Sequence, residues 1–439
     1  MSLFETFLQL NSFPIKKACN DLNWIQNLSK NEFLEWQKNK LWENTKYHYQ
    51  HNKFYRKKIG AIFPNCWTDI PVLTKADFQA PIKKLISDEF KIKDLYIANT
   101  SGSSGHPFFY AKDKYSHAFT WALIKHRYSL HGIELNSKQA RFYGIPLDRM
   151  GFLKETLKDK ILNRTRFPVF DLSDKVLYKF YQKFKNHKFD YVYGYTNSLV
   201  LFARFLLKKK LDIKKRCPTL KVCITTAELC AEEDRNLLES AFQVPVANEY
   251  GASETGIIAF EFSRGEWLLS EENTFVEIVD HDHKPLANGK AGEILVTSFL
   301  NKAMPIIRYQ IGDLGAIEKP DIQNTFHRKL KGLSGRTNDT IVLPSGKISP
   351  GLTFYYVSRS ILEASGILKE FIIKQEKINK FTFEVVTERD LTIQEKNEIK
   401  SKMDIYLEPG LDLEIKRVAE IDRPPSGKIK HFYSLLSNE

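Results

Sequence analysis

Residues 244–256 read VPVANEYGASETG, an apolar run that ends in small and polar side chains. The apolar half predicts a strand, and the polar half places Tyr250, Ser253 and Glu254 near the carboxyl end of that strand. In an open α/β sheet, ligands bind outside the carboxyl ends of the strands. A flat aromatic face, a hydroxyl and a hard anionic oxygen at that edge indicate a ligand site that can include a metal ion.

Upstream of this stretch, apolar runs alternate with amphipathic segments from about residue 96 onward. Strands are predicted for YIA, YVYGY and LKVCITT, and helices for residues 115–130, SLVLFARFLLKKK and AEEDRNLLESAF. Strands that alternate with helices favour a largely parallel sheet covered on both faces. Before residue 96, the amphipathic periodicity predicts helices that serve as a scaffold.

After residue 256 the pattern changes to consecutive strands, TFVEIVD, GEILVTSF and DLGAIEK, which predict an antiparallel barrel or sheet. From about residue 335, two paired strands, a helix and a further strand predict a small α+β unit. The predicted fold class is therefore α/β, with a large N-terminal domain (1–334) and a small mobile α+β C-terminal domain (335–439). Mostly parallel sheets and a barrel-like antiparallel part make up the large domain, and the small one would act as a lid.

The charge balance indicates a protein that attracts anions. Among 439 residues, Lys and Arg number 66 against 53 Asp and Glu, which leaves a net charge of +13. Because the basic residues are scattered, no segment resembles an arm that tracks nucleic acid, and a basic nucleic-acid-associated protein is kept only as an alternative. Neither a membrane-spanning run nor a signal-peptide pattern is evident, so we expect a cytoplasmic protein without a membrane span.

Cysteine and histidine spacing argues against a zinc site. The five cysteines include Cys217, Cys223 and Cys230, which lack the close pairs typical of zinc ligands, so we interpret them as buried thiols. His281 and His283 occur in a polar turn with no third ligand nearby, and a solvated turn is the better interpretation.

The stretch TSGSSG (100–105) combines two glycines with four hydroxyl side chains. Its glycines let the backbone approach a ligand closely, and its N–H and hydroxyl groups are donors that suit phosphate. It lacks the lysine of G-x-x-x-x-G-K-[ST] and the spacing of G-x-G-x-x-G. By composition alone it is either a flexible linker or a phosphate-binding loop.

Three short stretches further along carry charged groups between apolar runs. Asp313 in RYQIGDLG could accept two hydrogen bonds from ribose hydroxyls, and Arg336 in GLSGRTND lies at the predicted domain boundary. Lys428 in PPSGKIKHF follows a loop near the C-terminus, which suits a mobile cation better than core packing. Taken alone, the Asp313 stretch is better explained as a turn and Lys428 as an exposed lysine in a tail.

In chain order, TSGSSG, YGASE, GDL, GR and SGK resemble the motif series of the adenylate-forming superfamily. This superfamily contains acyl-coenzyme A synthetases, peptide-synthetase adenylation domains and luciferases. NKFYRK, DIPVLTKAD, VYGYTNSL, ITTAE and above all GEILVTSFLNKAMPIIRYQIGDLG resemble the phenylacetate–coenzyme A ligases and related proteins of polysaccharide gene clusters. The resemblance spans nearly the whole chain and makes a phosphate-binding loop the better interpretation of residues 98–109.

The resemblance implies a set of ATP-binding residues. Tyr250, with Gly251 and Ala252 beside it, would lie against the adenine, and Asp313 and Arg336 would fix the ribose. The loop that embraces the β- and γ-phosphates would consist of Thr100, Ser101, Gly102, Ser103, Ser104 and Gly105. The wall opposite Tyr250 would consist of Thr226, Ala227 and Glu228.

The implied catalytic residues are Lys428, Glu254 and Ser253. Ser253 and Glu254 would act on the α-phosphate and Mg2+, with Glu254 as the metal ligand, and Lys428 would meet the carboxylate and the α-phosphate. FYGIP and YVYGYT end apolar segments at the same edge of the predicted sheet, so their polar and aromatic residues are candidates for the acid pocket. These candidates are Tyr143, Tyr193, Tyr195 and Thr196.

The implied reaction uses ATP and Mg2+ to convert a carboxylic acid into an acyl adenylate, whose acyl group then passes to a thiol, most often that of coenzyme A. The C-terminal part would rotate about Asn338, and the loop PSGKISPG (344–351) would enter the site for the second step. The alternative inside this class is an enzyme of surface-polysaccharide or secondary metabolism that transfers the acyl group to an amine or a carrier protein. Members of the phenylacetate-ligase family often form homodimers.

Three positions depart from the family pattern. Asn338 stands where relatives often carry Asp, and the loop ends GHPF, so that His106 and Phe108 stand where many synthetases carry a basic residue. AFEFSRGEWLLSEE (259–272) lacks the Cys and His ligands with which some relatives bind zinc, so we predict no zinc.

Overall fold

The computed structural model describes residues 2–100, 108–146, 149–318, 327–334, 340–354, 357, 368–421 and 432–436. These residues form two compact units. The first unit comprises the described residues of Met1–Thr100, Phe108–Leu130 and Glu249–Gly335, and the second comprises those of His131–Asn248 and Arg336–Glu439. The predicted division at 334/335 into a large domain and a lid stays a prediction.

The helices of the first unit precede those of the second in the chain. In the first unit they are α1 (Leu3–Leu10), α2 (Ile15–Gln26), α3 (Lys30–His51), α4 (Lys53–Ile59), α5 (Ile82–Leu85) and α6 (Lys114–Ser129). In the second they are α7 (Arg149–Ile161), α8 (Asp174–Asn186), α9 (Thr196–Lys208), α10 (Ile213–Arg216), α11 (Glu232–Phe242) and α12 (Ile393–Tyr406). Within the described part of the chain, no helix combines the length and apolar composition that crossing a bilayer requires.

The strands occur along the chain in successive groups that belong to different units. They are β1 (Tyr96–Asn99), β2 (Phe109–Lys112), β3 (Gln139–Phe142), β4 (Arg164–Phe167), β5 (Tyr191–Tyr195), β6 (Val222–Thr226), β7 (Val246–Ala252), β8 (Gly256–Ser263), β9 (Glu266–Leu269), β10 (Thr274–Val279), β11 (Gly292–Ser298), β12 (Tyr309–Ile317), β13 (Lys329–Ser334), β14 (Thr340–Val342), β15 (Ile348–Pro350), β16 (Leu368–Lys377), β17 (Lys380–Thr387), β18 (Asp412–Arg417) and β19 (Phe432–Ser434). β1, β2 and β8–β13 belong to the first unit, β3–β6 and β14–β19 belong to the second, and β7 begins in the second unit and ends in the first.

Several helices begin where their sequence predicts a cap. Ser2 and Glu5 form a capping box at α1, Ser29 and Glu32 form one at α3, and Thr392 and Glu395 form one at α12. In each case a hydroxyl accepts a backbone N–H while the carboxylate accepts the N–H of the capping residue. These local bonds fix the start of each helix independently of tertiary packing.

The strands of the first unit pair antiparallel, in the order β10-β11-β12-β13-β9-β8-β7. This confirms the prediction that the consecutive strands after residue 256 form an antiparallel sheet. β1 and β2 form a separate antiparallel ribbon in the same unit. YIA therefore differs from the sequence interpretation: it pairs with β2, which begins only ten positions further along the chain. Strands this close in sequence can pair antiparallel, whereas parallel strands need a longer crossover.

A buried ion pair lies in the first unit beside α6. Arg127 donates to Glu272 at 2.6 Å, and both side chains are fully buried. Gln26 donates to the other carboxylate oxygen of Glu272 at 3.0 Å. Burial raises the pKa of Glu272, but Arg127 and His327 outweigh burial and hold the pKa at about 2. The carboxylate therefore remains charged at neutral pH and binds α6 to the segment before β10.

The sheet of the second unit is parallel in the order β6-β5-β3-β4, as the strand–helix alternation predicted. Its core is aromatic: the rings of Phe142 and Phe167 stack 4.8 Å apart, with Phe180 and Phe202 against them. Gly194 is required on β5, because a Cβ there would lie 2.6 Å from the Cβ and carbonyl oxygen of Phe142. The predicted α/β class, with parallel and antiparallel sheets, is confirmed.

The second unit also contains a four-stranded sheet in the order β18-β17-β16-β19, with α12 packed against it. β16 and β17 pair antiparallel, as KEFIIKQ and KFTFEVVT predicted. β14 and β15 form a hairpin that contains most of the predicted mobile loop, and Lys347 at its tip donates to the carbonyl of Tyr406 at 3.3 Å. The swing of this loop stays a prediction.

We predict that Arg127→Met will lower the free energy of unfolding by about 3–5 kcal/mol, because it leaves the Glu272 carboxylate buried without its cation. Urea denaturation followed by circular dichroism measures this. Lys17→Met, which breaks the exposed pair with Asp21, is the matched control and should change stability little. If Arg127→Met changed the free energy of unfolding as little as Lys17→Met does, the buried pair would not be important for stability.

The same pair sets a pH dependence. The pKa of Glu272 is lower in the folded chain than its ordinary value near 4.5, so the stabilisation is complete above that ordinary value. As pH falls towards about 2 the carboxylate is protonated and the stabilisation is lost. Glu272→Gln should therefore narrow the stability difference between pH 6 and pH 3, compared with the wild-type chain.

Candidate active site

The turn between β7 and β8, in the first unit, carries the predicted metal ligand. Residues 253–255 form this turn; Ser253 is exposed and Glu254 is buried. Gly251 allows the tight packing, because a Cβ at that position would lie 2.3 Å from the carbonyl oxygen of Gly256. A larger residue at 251 would push the two strands apart and displace Glu254.

Glu254 is held by a residue that sequence analysis did not single out. The Tyr309 hydroxyl donates to Glu254 Oε1 at 2.8 Å, and the tyrosine ring is fully buried. That ring meets Phe78 edge-on at 5.6 Å and Phe108 at 6.3 Å between centroids. Because packing fixes the ring, it also fixes the direction of the hydroxyl and hence the position of the carboxylate.

Lys112 is a second residue that sequence analysis missed. It ends β2, is 4% exposed, and interacts electrostatically with Glu254. Burial lowers the pKa of Lys112 to about 8, while Glu254 and Asp113 oppose this shift by favouring the charged form. Its nitrogen lies 3.8 Å from where a Cβ on Gly256 would be, which places it beside the same turn. A lysine at the end of the apolar run FFYA was the available signal, since buried lysines are rare.

The residues predicted for adenine and ribose are in contact. Tyr250 donates its hydroxyl to Asp313 Oδ2 at 3.1 Å. A bulge in β12 presents this aspartate: Leu314 pairs with Glu293 and Gln310 with Leu295, so three residues oppose one. Bulges re-aim side chains beside active sites, so the Gly-Asp dipeptide is part of an irregular strand rather than a simple turn.

Thr100 closes the base of the predicted phosphate loop. Its N–H donates to the Phe108 carbonyl at 2.9 Å, and its hydroxyl accepts from the Phe108 N–H at 3.1 Å. Phe108 is 3% exposed and stacks on Phe78 at 5.3 Å. The side chain that departs from the family pattern at 108 therefore packs in the core. Residues 101–107, with the candidates Ser101–Gly105 and His106, lie outside the described residues.

In the second unit, the predicted adenine wall follows β6. Glu228 accepts from the Asn197 backbone N–H at 2.9 Å and from Asn197 Nδ2 at 3.2 Å, and its carbonyl accepts from the Thr196 hydroxyl at 3.0 Å. Burial raises the pKa of Glu228 to about 7, against the opposing effect of Asn197. Thr226 is buried, and Ala227 has a φ of 67°, a strained conformation that functional loops often retain.

The tyrosines of the predicted acid pocket come together at the ends of β3 and β5. The Tyr143 ring centroid lies 4.0 Å from that of Tyr195 and 5.9 Å from that of Tyr193. Arg141, which sequence analysis missed, places its guanidinium carbon 4.1 Å from the centroid of Tyr143 and 4.8 Å from that of Tyr193. Thr196 belongs to the same segment, but its hydroxyl is bonded to Glu228. This cluster offers flat aromatic faces next to a cation.

Three candidates of the C-terminal part, Arg336, Asn338 and Lys428, lie outside the described residues, as does most of the predicted phosphate loop. The described candidates divide between the units: Thr100, Tyr250, Gly251, Ala252, Ser253, Glu254 and Asp313 belong to the first, and Tyr143, Tyr193, Tyr195, Thr196, Thr226, Ala227 and Glu228 belong to the second. Within the first unit, the pairs Tyr309–Glu254 and Tyr250–Asp313 are the structural core of the candidate site.

The donor set fits magnesium better than zinc. Mg2+ is usually bound by one or two carboxylates together with substrate phosphates, and Glu254 supplies one fixed carboxylate. Among the described residues, no group of three or more His, Cys, Asp and Glu side chains is arranged to hold a metal ion. The absence of zinc stays a prediction.

The chain is similar to known ligases in sequence and in fold. It is 24% identical over 330 residues to Protein CapK of Staphylococcus aureus, covering 74% of this chain and 70% of the relative. To phenylacetate-coenzyme A ligase of Escherichia coli (strain K12) it is 30% identical over 138 residues, which is 30% of this chain and 31% of the ligase. A solved 2-hydroxyisobutyryl-CoA ligase, in complex with 2-HIB-AMP and CoA, superposes with a TM-score of 0.54 at 16% identity, covering 92% of each chain. No protein-family model matches the chain.

The chain has the fold of the solved 2-hydroxyisobutyryl-CoA ligase. It is also similar in sequence to phenylacetate-coenzyme A ligases, which confirms the predicted resemblance.

We predict that Tyr309→Phe will lower the turnover of acid-dependent pyrophosphate exchange by about 10-fold, because it removes the bond that orients Glu254. Tyr47→Phe is the matched control: it removes a hydroxyl that donates to the exposed Glu89 at 2.9 Å, and it should leave turnover unchanged. Full activity in a folded Tyr309→Phe protein would show that the carboxylate needs no fixed orientation.

Burial of Glu228 makes the stability of the chain depend on pH in a second way. Its pKa rises on folding to about 7, so the stabilising protonated form is fully present below the ordinary value near 4.5 and is lost as pH rises through 7. The wild-type chain should therefore lose stability relative to Glu228→Gln between pH 5 and pH 8.5, as measured by urea denaturation. The exposed Glu233→Gln is the control, and a pH-independent difference for Glu228→Gln would refute the assignment.

Proposed function

We propose that this chain is an ATP-dependent, AMP-forming carboxylic acid ligase that passes the acyl group to the thiol of coenzyme A. The carrying observation is the pair of tyrosine–carboxylate bonds, Tyr309–Glu254 and Tyr250–Asp313, on irregular strands of the first unit. The family pattern assigns Glu254 to the metal and Asp313 to the ribose, and a bond that fixes each carboxylate supports these assignments. Similarity to phenylacetate-coenzyme A ligases supports coenzyme A as the acceptor.

The first step joins the acid to the nucleotide. A carboxylate oxygen attacks the α-phosphorus of ATP, the bond from that phosphorus to the bridging oxygen breaks, and pyrophosphate leaves with the electron pair. The obstacle is repulsion between two anions, so the enzyme must supply positive charge and fixed donors. We assign the mobile charge to Lys428 and the phosphate donors to the Thr100–Gly105 loop.

Mg2+ would supply charge neutralisation on the phosphates when bound, and Glu254 with Ser253 would hold it at the α-phosphate side. The chain's own contribution is to hold the Glu254 carboxylate in position. The Tyr309 hydroxyl orients it, and the buried Lys112 lies beside it.

The second step consumes the adenylate. The coenzyme A sulfur attacks the acyl carbon, the bond to the phosphate oxygen breaks, AMP leaves, and the thiol gives up its proton. We propose that residues 335–439 act as a lid domain on the ATP- and acid-binding domain 1–334. Rotation of this lid about Asn338 would move Lys428 out of the site and bring the 344–351 loop into it.

The acid-pocket assignment rests on the tyrosine cluster of Tyr143, Tyr193 and Tyr195 and on the neighbouring Thr196. Flat aromatic faces suit an aromatic or medium-chain acyl group. We assign Thr226, Ala227 and Glu228 to the adenine wall, and Arg336 to the ribose. We further propose a cytoplasmic homodimer that binds no nucleic acid, which accords with ATP and coenzyme A as substrates.

A second candidate function is acyl transfer to an amine or a carrier protein in surface-polysaccharide or secondary metabolism. Its support is the resemblance of the stretch GEILVTSFLNKAMPIIRYQIGDLG to proteins of polysaccharide gene clusters. Coenzyme A dependence of AMP release separates the two: a ligase of the first kind releases AMP with coenzyme A, whereas one of the second kind requires an amine or a carrier.

We predict acid-dependent pyrophosphate release when the purified chain is given ATP, Mg2+ and a panel of aromatic and medium-chain acids. Lys428→Ala and Glu254→Gln should each lower this release by at least about 100-fold, because each removes a group that stabilises the transition state. Lys430→Ala, two residues further along the same motif, is the matched control and should retain activity. Release that is independent of acid, or undiminished in both variants, would count against the proposed function.

A further inference from the structure

A cavity of about 150 Å3 lies in the first unit, away from the residues assigned to ATP. Its walls include Trp67, Phe275, Glu277, Leu286 and Arg328. Ile317, another wall residue, is four positions beyond Asp313 on β12, or about 13 Å along an extended strand. Nothing in the proposed ligase chemistry uses this cavity.

The cavity collects polar atoms that have no hydrogen-bond partner among the described residues. They are both carboxylate oxygens of Glu277, Trp67 Nε1 and Arg328 Nη2. Glu277 is 6% exposed, and all these atoms are buried. Buried polar atoms in folded proteins are nearly always hydrogen-bonded, so several unpaired ones around one cavity indicate a missing partner.

Trp67 and Arg308 both act on the Glu277 carboxylate, but neither reaches it in hydrogen-bond geometry. Arg308 Nε lies 3.4 Å from Glu277 Oε1, and the other guanidinium nitrogens donate to the carbonyls of Thr68, Ile70 and His283. Burial raises the pKa of Glu277, and Arg308 and Trp67 only partly oppose it. The carboxylate is thus left with unused acceptor capacity towards the cavity.

The charges around the cavity are already balanced, which restricts the ligand. Arg308 offsets Glu277, and Glu271 accepts from Arg328 Nε at 2.6 Å. A ligand with one net charge would bring an uncompensated charge into a buried place, which is costly. A ligand with both charges, one facing Glu277 and one facing Arg328, meets no such penalty.

Size and walls restrict the ligand further. One water needs about 10–15 Å3 on this volume scale, so the cavity has room for a molecule of several heavy atoms. Phe275, Leu286 and Ile317 offer apolar walls, where waters would lack partners, and the rings of Trp67 and Phe275 meet edge-on at 6.3 Å between centroids. Such walls suit a short carbon chain between two charged ends.

We propose that this cavity binds a small zwitterion of the size of glycine or alanine. Its ammonium would pair with Glu277, and its carboxylate would accept from Trp67 Nε1 and Arg328 Nη2. This places a second small-molecule site in the first unit, independent of acid activation.

Isothermal titration calorimetry on the full purified chain tests the proposal with glycine, alanine, methylammonium and acetate. Probes are titrated to about 10 mM, because ligands this small typically bind with dissociation constants of about 1 mM. Wild-type protein should bind glycine or alanine saturably. It should bind methylammonium and acetate, which carry one charge each, more weakly. Glu277→Gln should weaken the zwitterion at least about 10-fold by removing the ammonium's partner.

A blocking variant keeps the test decisive if Glu277→Gln folds poorly. Ala287→Trp adds a large ring to the cavity lining without removing any polar group, and it should abolish binding. Ala291→Trp, in the same polar turn but outside the cavity lining, is the matched control and should bind as the wild type does. Absence of zwitterion binding, equal binding of acetate or methylammonium, or binding that survives Ala287→Trp would each overturn the proposal.

Discussion

The hydrogen bond from Tyr309 to Glu254 is the interaction around which the first unit's candidate site is built. It joins β12 to the turn after β7, and it can form only because Phe78 and Phe108 hold the tyrosine ring. Phe108 in turn bonds to Thr100 at the base of the proposed phosphate loop. Core packing, the base of that loop and the proposed metal ligand Glu254 therefore form one continuous set of contacts, and a change in any of them reaches the carboxylate.

Irregular backbone presents the functional groups at this site. The bulge in β12 brings out Asp313, and the close approach of Gly251 to Gly256 sets the turn that carries Glu254. In the second unit, Ala227 has a left-handed backbone conformation and directly precedes Glu228. Side chains on a regular strand alternate between the two faces of the sheet, and the departures from regularity give these side chains other directions.

Much of the fold was predictable because its signals are local. The antiparallel strands after residue 256, the parallel sheet of 139–226 and the paired strands β16 and β17 all follow from hydrophobic periodicity and turn composition. The local pairing of β1 with β2 was not predicted, because an apolar run does not state which strand it joins. In the site, motif order pointed to Glu254 and Asp313, whereas Tyr309, Lys112 and Arg141 stand in ordinary-looking strands.

By itself, the sequence determined the α/β class, the order of the motifs and the kinds of side chain that we propose for nucleotide binding, since each of these depends on residues close together in the chain. Only the tertiary structure decided which side chains hold the functional ones: Tyr309 on Glu254, Tyr250 on Asp313 and Asn197 on Glu228. These partners are tens of residues apart, and a hydrogen bond between them exists only after packing has fixed both ends in position and direction. For the same reason, Phe108 could be recognised as a core residue only in the folded chain.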